Sequence, residues 1–566
     1  MLRVLFLFTM VVSSTVFVQA AEPDPAKMSF RGFLWPNHTP GECPFEQSED
    51  ITGVYFAGRC SDYLCGDTFY PTWADDDNLY SPFTDGTTDG MGSGSGFPWE
   101  QTGNVVMIGD DPQHLTIKNT ARPQKGATYP YGGRYPCGSL VHNGIWYYGT
   151  YCLGITKTTI EDGYHFGWPI LGPMSGFRIS KDYGKTWIPS PHTSEKPLFP
   201  EPKELFGPVK IGAPHFVDFG KNMEHSPDGK AYMVCMGAEE DDPMPRYANL
   251  SWCAADQAYL IRVTPSIETI NDEGAYEYFA GHDAKGEPVW TDDFNKIKPL
   301  LDWNNHMGCV TITYNAPLKK YFMCVTDGWL TRSNMDSYIM EADKITGPWK
   351  MITYMHEFGT QGYFLNFPSK FISEDGKTMW LCYSGNYGWH TQLPRKPEHG
   401  RYGLCLYEVN LLDKDKHQFM ATKAHEDGGN VTSKAKITVS STLAGTSAEN
   451  LVNGKVCTDA QCKGDHWIVA NNDKEAWVKL TFDEPQVLRS IKLFDCPARK
   501  DRARFGKIMF SNGHVIPIRV PQRNSVFDGL DIFWGDEKKV TWIKVVFEKV
   551  EPASANVSLS EIMVFK

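Results

Sequence analysis

Zinc and nucleotide signatures are missing from this 566-residue chain. No CxxC or mixed His/Cys spacing suggests a structural zinc. No GxSxG elbow, phosphate loop or dinucleotide fingerprint stands in a fitting context, which sets serine-nucleophile and nucleotide chemistry aside. After the leader, no apolar stretch approaches the ~20 residues that a spanning helix needs, and long helical periodicity is scarce. Positive charge is in deficit: 55 Lys and Arg against 68 Asp and Glu leave a net charge of −13. Such a surface repels nucleic acid and anionic membranes, so neither is expected as a partner. The 14 cysteines lack the dense spacing of a disulfide-stapled miniprotein.

What is present begins with MLRVLFLFTMVVSSTVFVQA, in which Arg3 precedes an apolar run ending in Val18-Gln19-Ala20. This is the pattern of a signal peptide, residues 1–20, and predicts a secreted protein, extracellular or periplasmic. A chain that is 41% hydrophobic and 13% aromatic can bury a large core and has room for more than one domain. Cys457 with Cys462 and Cys60 with Cys65 are the plausible local disulfides. Cys235, Cys324, Cys382 and Cys405 lie inside apolar strands, as small buried hydrophobes or as bridge partners. Asn37, Asn249, Asn430 and Asn556 each start an N-x-S/T sequon.

The segments HSPDGKAYMVCMGAEE (225–240), NAPLKKYFMCVTDG (315–328) and SEDGKTMWLCYSGN (373–386) resemble one another. Each is a turn, a lysine, an aromatic-rich strand with cysteine at the same place, then small and polar residues. GRCSDYLCGDTFY (58–70) and VHNGIWYYGTYCLG (141–154) are looser copies. A further strand precedes each turn (APHFVDF, GCVTITY, FPSKFI, CGSLV, TGVYFA), so the repeating unit is a β-hairpin. Five such hairpins predict an all-β fold with a five-bladed β-propeller over residues 21–420, each hairpin being the inner pair of one blade. ISKDYGKTW (179–187) fits the Asp-box turn of propeller blades, with Asp182 bonding the turn amides, Gly184 taking positive φ and Trp187 packing beneath. Asp182 is therefore structural rather than catalytic, and 373–380 is a degenerate version.

Composition changes near residue 420. Beyond a polar linker, 421–433, come the short strands KITVSS, AWVKLTFDEP, RSIKLFD, KIMFSNG, VTWIKVVFEKV and SLSEIMVFK. Their order, with LVNGK and DHW ahead of AWVKLTF and a terminal SEIMVF, resembles discoidin-like, galactose-binding-like jelly rolls. That resemblance implies a β-sandwich over 434–566 that binds carbohydrate or serves as a structural accessory.

In a propeller, residues at the ends of inner strands from different blades meet in one pocket. Glycoside hydrolysis needs two carboxyl groups flanking the scissile bond, one protonated and one ionised. The segment 65–96 is richest in them: Asp67 follows an inner strand, while Asp75, Asp76, Asp77 and Asn78 lie between Trp73 and Tyr80, with Asp85 further on. Aromatic faces beside carboxylates suit sugar stacking. A solvated acidic loop or a structural calcium site is the alternative, and no other cofactor is expected. Asp67, Asp77, Glu239 and Glu240 are the catalytic candidates. Trp73, Asp76, Asn78, Arg134, His215, His306, Asp327, Asn366 and Lys370 are the substrate-binding candidates, His215 and His306 because they recur at the same place in successive repeats. Trp168, Trp329, Tyr363 and Trp389 could line further subsites.

The segments GDTFYPTWADDDNLYSPFTDG, WNNHMGCVTITYNAPLKKYFMCVTDG and GYFLNFPSKFISEDGKTMWLCYSGN are similar to secreted five-bladed propellers related to the endo-D-arabinanase type of glycoside hydrolase. The resemblance spans most of residues 50–405 and implies a glycan-active site in the axial funnel, with first-blade aspartates, here Asp67 and Asp77, leading. Sialidases share the Asp box, but their early Arg-Ile-Pro motif is missing; only Arg31 and Arg59 stand there. The expectation is a monomeric, secreted glycosidase acting on a poly- or oligosaccharide by carboxylate acid/base catalysis. A non-catalytic glycan-binding protein and a polysaccharide lyase are the alternatives.

Overall fold

The computed structural model describes residues 32–566 apart from 36, 97–99, 127, 155–157, 161–163, 167–169, 203–207, 240–251, 329–334, 360, 386–396, 398–399, 418–428, 455–465, 471–472, 474, 496–502, 520–529 and 551–555. It is all-β, built of antiparallel sheets that follow one another along the chain. The first sheet holds Cys65–Asp67, Thr72–Trp73, Leu79–Thr88, Gln101–Ile108 and Thr116–Asn119. The second holds Gly133–His142, Ile145–Gly154 and Ile170–Ser180. The third runs from Gly212–Phe216 through Ala231–Gly237, Gln257–Val263 and Tyr276–His282 to Pro288–Thr291, and the fourth from Gly308–Asn315 through Lys320–Asp327 and Asp336–Ala342 to Lys350–Met355.

The fifth sheet contains both ends of this region. Tyr363–Asn366, Thr378–Ser384 and Leu404–Leu412 are joined by Gly53–Tyr63 and then Phe33–Leu34. Gly53 pairs with Leu412 and Tyr63 with Leu404, with a bulge between Phe56 and Cys60 that Gly58 accommodates at φ +85°. An early strand thus completes the last sheet, leaving the next residues, from Cys65, to open the first. Apolar packing explains why it stays: Phe56 is fully buried against Phe33, Trp35, Phe358 and Tyr407, with ring centroids 5.1–6.3 Å away.

The closing strand corrects two sequence expectations. TGVYFA and GRCSDYLCGDTFY do not form a hairpin, because residues 53–63 are one continuous strand and the partner of Cys65–Asp67 is Leu79–Thr88. The Cys60–Cys65 bridge is not formed: Cys65 is an exposed free thiol, while Cys60 is buried in the closing strand. Three of the other four hairpins are as expected; in the last, the first strand is Tyr363–Asn366, and FPSKFI turns through a short 3-10 helix, Ser369–Phe371, instead of forming that strand. Cys152, Cys235, Cys324 and Cys382 are all buried on second strands. Cys235, Cys324, Cys382 and Cys405 are free thiols, so the small-hydrophobe reading holds for them. Cys457 and Cys462 lie outside the described residues.

Turn chemistry sets the hairpins. Asp228 and Asp375 accept the amides of Lys230 and Lys377, and Gly229 and Gly376 take φ of +73° and +72°. In the Asp box, Asp182 accepts from Thr186 N at 2.8 Å, Thr186 Oγ1 at 2.7 Å and Ser180 Oγ at 2.7 Å, and Gly184 has φ +85°. Trp187 packs on Trp146 and Tyr148 and, with Tyr148, sandwiches the buried guanidinium of Arg178 at 4.5 and 3.7 Å. Asp182 is structural, as its turn pattern predicts.

A last sheet, Trp467–Ile468, Ser558–Phe565, Trp477–Asp495, Leu530–Val550, Ala503–Phe510 and Val515–Arg519, with Ala435–Val439 alongside, has its own core. That core, centred on Trp467, Leu480, Leu488, Ile491, Ile508 and Ile562, draws all its members from Val431 to Val564.

If the closing strand holds the fifth sheet together, Phe56→Ala should lower the free energy of unfolding by about 3–5 kcal/mol. Arg59→Ala on the same strand, whose side chain is half exposed beside Glu408, should cost under about 1 kcal/mol. Chemical denaturation of the two variants checks both figures.

Candidate functional site

The first strand of four of the five sheets shares one irregularity. Gly212 pairs with Met236 but His215 with Val234; Gly308 pairs with Thr326 but Thr311 with Cys324; Tyr363 pairs with Ser384 but Asn366 with Cys382; Pro136 pairs with Thr150 but Ser139 with Tyr148. An extra residue is therefore bulged out at the same place in each of these four strands, whereas in the first sheet the extra residue lies on the partner strand, between Thr84 and Thr87. Ala213, Cys309 and Phe364, directly after the first paired residue, have positive φ of 42°, 42° and 59°, and Thr68, just after Asp67, has 59°. Non-glycine residues pay for this conformation, which persists only where packing holds it; all four are buried.

In these four sheets the residue after the bulge, Ser139, His215, Thr311 or Asn366, lines a common pocket together with Tyr70, which lies between the first two strands of the first sheet. The ring closes between the fifth and first sheets, where Asn366 Nδ2 donates to Phe69 O at 3.0 Å. Position in the bulge places His215 and Asn366 here. His306 is not equivalent to His215, because the residue at the matching register is Thr311. Sequence reasoning missed Tyr70, Ser139 and Thr311; alignment of the four bulged inner strands would have found Ser139 and Thr311.

Asp67 stands at the end of this ring where the first strands begin. Its Oδ2 accepts from Tyr363 Oη at 2.7 Å and Tyr402 Oη at 3.0 Å, while its Oδ1 is buried with no partner among the described residues. Burial, and after it the charge of Asp85, pushes its carboxyl well above the usual carboxylate range, against the pull of the tyrosine hydroxyls. Asp85 is held by Ser95 N at 2.7 Å and Ser95 Oγ at 2.6 Å, and burial raises its pKa too. Trp252 covers the neighbouring surface, with its ring centroid 5.0 Å from that of Tyr363 and its carbonyl accepting Cys309 N at 3.0 Å.

Asp77 is at the opposite end of the same inner segment, so the structure does not bring it to Asp67. Its Oδ1 accepts from Trp73 Nε1 and Lys221 Nζ, both at 3.0 Å, and its carbonyl accepts from Lys370 Nζ at 2.5 Å. These donors, Lys221 first, lower its pKa on an exposed loop. Asp76 takes Asn78 N and Nδ2 at 3.0 Å and Tyr80 Oη at 2.6 Å, and Asp75 takes Tyr183 Oη at 3.1 Å. The loop's carboxylates are thus divided among separate donors. Lys370 also reaches Asp110 at 2.8 Å. Among the described residues, the acids that converge are Asp50, Glu341 and Asp343, around the ammonium of Lys320 at 2.8, 2.9 and 2.7 Å.

Two candidates named separately are joined. His306 Nδ1 is hydrogen-bonded to Asp327 Oδ2, which also accepts from Tyr354 Oη at 2.6 Å, and the imidazole stacks on Trp303 at 4.2 Å. Met307 N and Trp303 N bond to the carbonyls of Ala255 and Asp256, so residues 252–256 run between this pair and the Asp67 cluster. Arg134 is buried and donates to Thr150 Oγ1 at 3.1 Å, with Nη1 unpaired among the described residues. Glu239 meets Lys210 Nζ at 3.4 Å and is 43% exposed, so it does not enter the ring. Glu240, Trp168, Trp329 and Trp389 lie outside the described residues.

Residues 430–565 match a family model described as Domain of unknown function (DUF7402). Solved structures that align include the lectin-binding domain of lectinolysin complexed with Lewis b, at 18% identity, 24% of this chain, 95% of that chain and TM-score 0.21. A Streptococcus pneumoniae fucose-binding module, SpX-3, aligns at 15% identity, over 24% and 97% of the two chains, with TM-score 0.20. The family 32 carbohydrate-binding module of C. perfringens NanJ, solved with galactose, aligns at 11% identity, over 24% and 96%, with TM-score 0.20. No curated protein matches the chain.

Buried titratable groups around the ring set a pH dependence. Burial raises Glu201, which accepts Ile211 N at 2.7 Å, to about 7, and Asp218, bonded to Ser369 N and Oγ, to about 6. Burial lowers His215, packed 4.0 Å from the Tyr70 ring, to about 3. Above the unfolded carboxylate pKa of about 4, folded Glu201 keeps a proton that the unfolded chain releases, so this contribution to stability falls as pH rises toward 7. His215 acts at the other limb, where the unfolded chain gains a proton as pH falls below ~6.5 and the folded one does not. Melting temperatures of Glu201→Gln between pH 4.5 and 8 should decline less toward alkaline pH than those of the wild type.

Proposed function

We propose that the five sheets are the blades of a β-propeller spanning residues 21–420, joined through 421–433 to a galactose-binding-like jelly roll at 434–566. We infer that this secreted protein hydrolyses a glycosidic bond in a poly- or oligosaccharide. The ring of first strands and the closure of the last sheet by Gly53–Tyr63 support the propeller reading. The observation that carries the functional one is Asp67: a buried carboxyl favouring its protonated form, gripped by two tyrosines through one oxygen and leaving the other unbonded among the described residues.

Such a group suits a general acid, which must arrive protonated and give its proton to the leaving oxygen. Asp85 acts through it, since a nearby negative charge disfavours ionisation of Asp67. Tyr363 and Tyr402 fix the carboxyl plane, and Trp252, buried against Tyr363, backs them. His306, ordered by Asp327 and stacked on Trp303, is a positioning group at the edge of the same end.

A panel of neutral and acidic polysaccharides, read by product analysis, tests the reading. New reducing ends without unsaturation are expected; unsaturated uronate products, or binding without products, would overturn it in favour of a lyase or a lectin. Asp67→Asn should lower turnover of the responding substrate at least ~100-fold. Asp85→Asn removes the charge that helps raise the Asp67 pKa, so the alkaline limb of the pH–rate profile should move to lower pH. An unchanged limb would show that Asp67 is not the proton donor.

A further inference from the structure

The C-terminal sheet has an outward face unlike the rest of this acidic chain. Along Trp477–Asp495 and Leu530–Val550, side chains alternate strictly at the start of one strand and near the end of the other. Val478, Leu480, Phe482, Ile543, Val545 and Phe547 are buried in the core, while Trp477, Lys479, Thr481, Trp542, Lys544 and Val546 point the other way and are half exposed. The register sets Lys479 opposite Lys544 and Thr481 opposite Trp542. Lysine and tryptophan then interlock diagonally: Lys479 Nζ lies 4.7 Å from the Trp542 ring centroid, and Lys544 Nζ 4.2 Å from that of Trp477.

Neighbouring strands extend the pattern. Lys436, exposed on Ala435–Val439, pairs with Thr481, and Lys507 on Ala503–Phe510 pairs with Val546. Lys507 is neutralised by Glu548 at 2.6 Å. Lys436, Lys479 and Lys544 have no acidic partner among the described residues. Three uncompensated cations and two flat indoles thus share one face of a chain whose net charge is −13, so local placement rather than composition makes this patch basic.

We propose that this face binds an anionic polysaccharide, one carrying carboxylate or sulfate on successive sugars. Cation–π contact holds each ammonium in place without using up its N–H donors, so less side-chain entropy is lost when an anion is bound. The indoles supply apolar surface for sugar ring faces. The two-residue repeat along each strand and the spacing of about 4.8 Å between strands present charge as a lattice, suited to a polymer with regularly repeated anions. The face is separate from the Asp67 cluster, and its binding does not depend on cleavage there.

The test is affinity electrophoresis of the full chain in gels containing polygalacturonate, neutral galactan or no polymer, run on the wild type and on Asp67→Asn so that cleavage cannot remove the ligand. Retardation by polygalacturonate alone, weakened by added salt, is expected for both. K479A/K544A should weaken it about tenfold, K479E/K544E should abolish it, and K118A, on a strand of the first sheet, should leave it unchanged. Melting curves confirm that the lysine variants are folded. Equal retardation of K479A/K544A and wild type, equal retardation in galactan, loss of retardation in Asp67→Asn, or stronger capture by single-stranded DNA than by polygalacturonate would each overturn the proposal.

Discussion

The pairing of Gly53–Tyr63 with Leu404–Leu412 is the constraint on which the five-sheet region depends. Residues from all five sheet regions line one pocket, formed by Tyr70, Ser139, His215, Thr311 and Asn366 among others. That meeting requires the chain to return to its beginning. The early strand accomplishes this by placing Phe56 among the aromatic rings of the last sheet, a contact of long sequence separation that no local propensity could enforce. Once the strand is in place, the residues from Cys65 onward start the first sheet, and Asp67 arrives beside Tyr363 and Tyr402 from the far end of the region.

Within that frame, polar groups are sorted by burial. Asp67, Asp85, Asp218 and Glu201 are all buried and raised, each with neutral donors rather than a cation in hydrogen-bond contact. Asp77 and Asp182 are exposed and lowered, held by lysine or by turn amides. A carboxyl in low dielectric without a cation to compensate it favours the neutral form. The fold has therefore separated acids that differ little in sequence context into proton holders inside and ionised struts outside.

The repeat was legible in the sequence because a hairpin is local. The turns and the cysteine-bearing apolar strand recur within short windows; three of five such units are hairpins as read, and a fourth is a hairpin whose first strand is Tyr363–Asn366 rather than FPSKFI. GRCSDYLCGDTFY failed because its first half pairs with a strand more than three hundred residues away, and a strand's partner is not written in its own composition. His306 resembled His215 only until the bulges were aligned, since an added residue shifts the whole register. Asp67 was found as an acid after an inner strand, but its separation from Asp77 follows from the direction of that strand. Tyr402, like Tyr363, meets Asp67 only through closure of the ring.

The closing strand also decides how the chain carries mechanical load. Leu404–Leu412, the last strand before the C-terminal sheet, is hydrogen-bonded on both sides, to Thr378–Ser384 and to Gly53–Tyr63. Tension applied through the C-terminal sheet therefore enters at an interior strand with two rows of hydrogen bonds rather than at an edge that peels from one. The N-terminal strand acts as a clasp on that interior strand, so proteolysis between it and the first sheet would loosen the load-bearing strand without cutting any residue that touches Asp67.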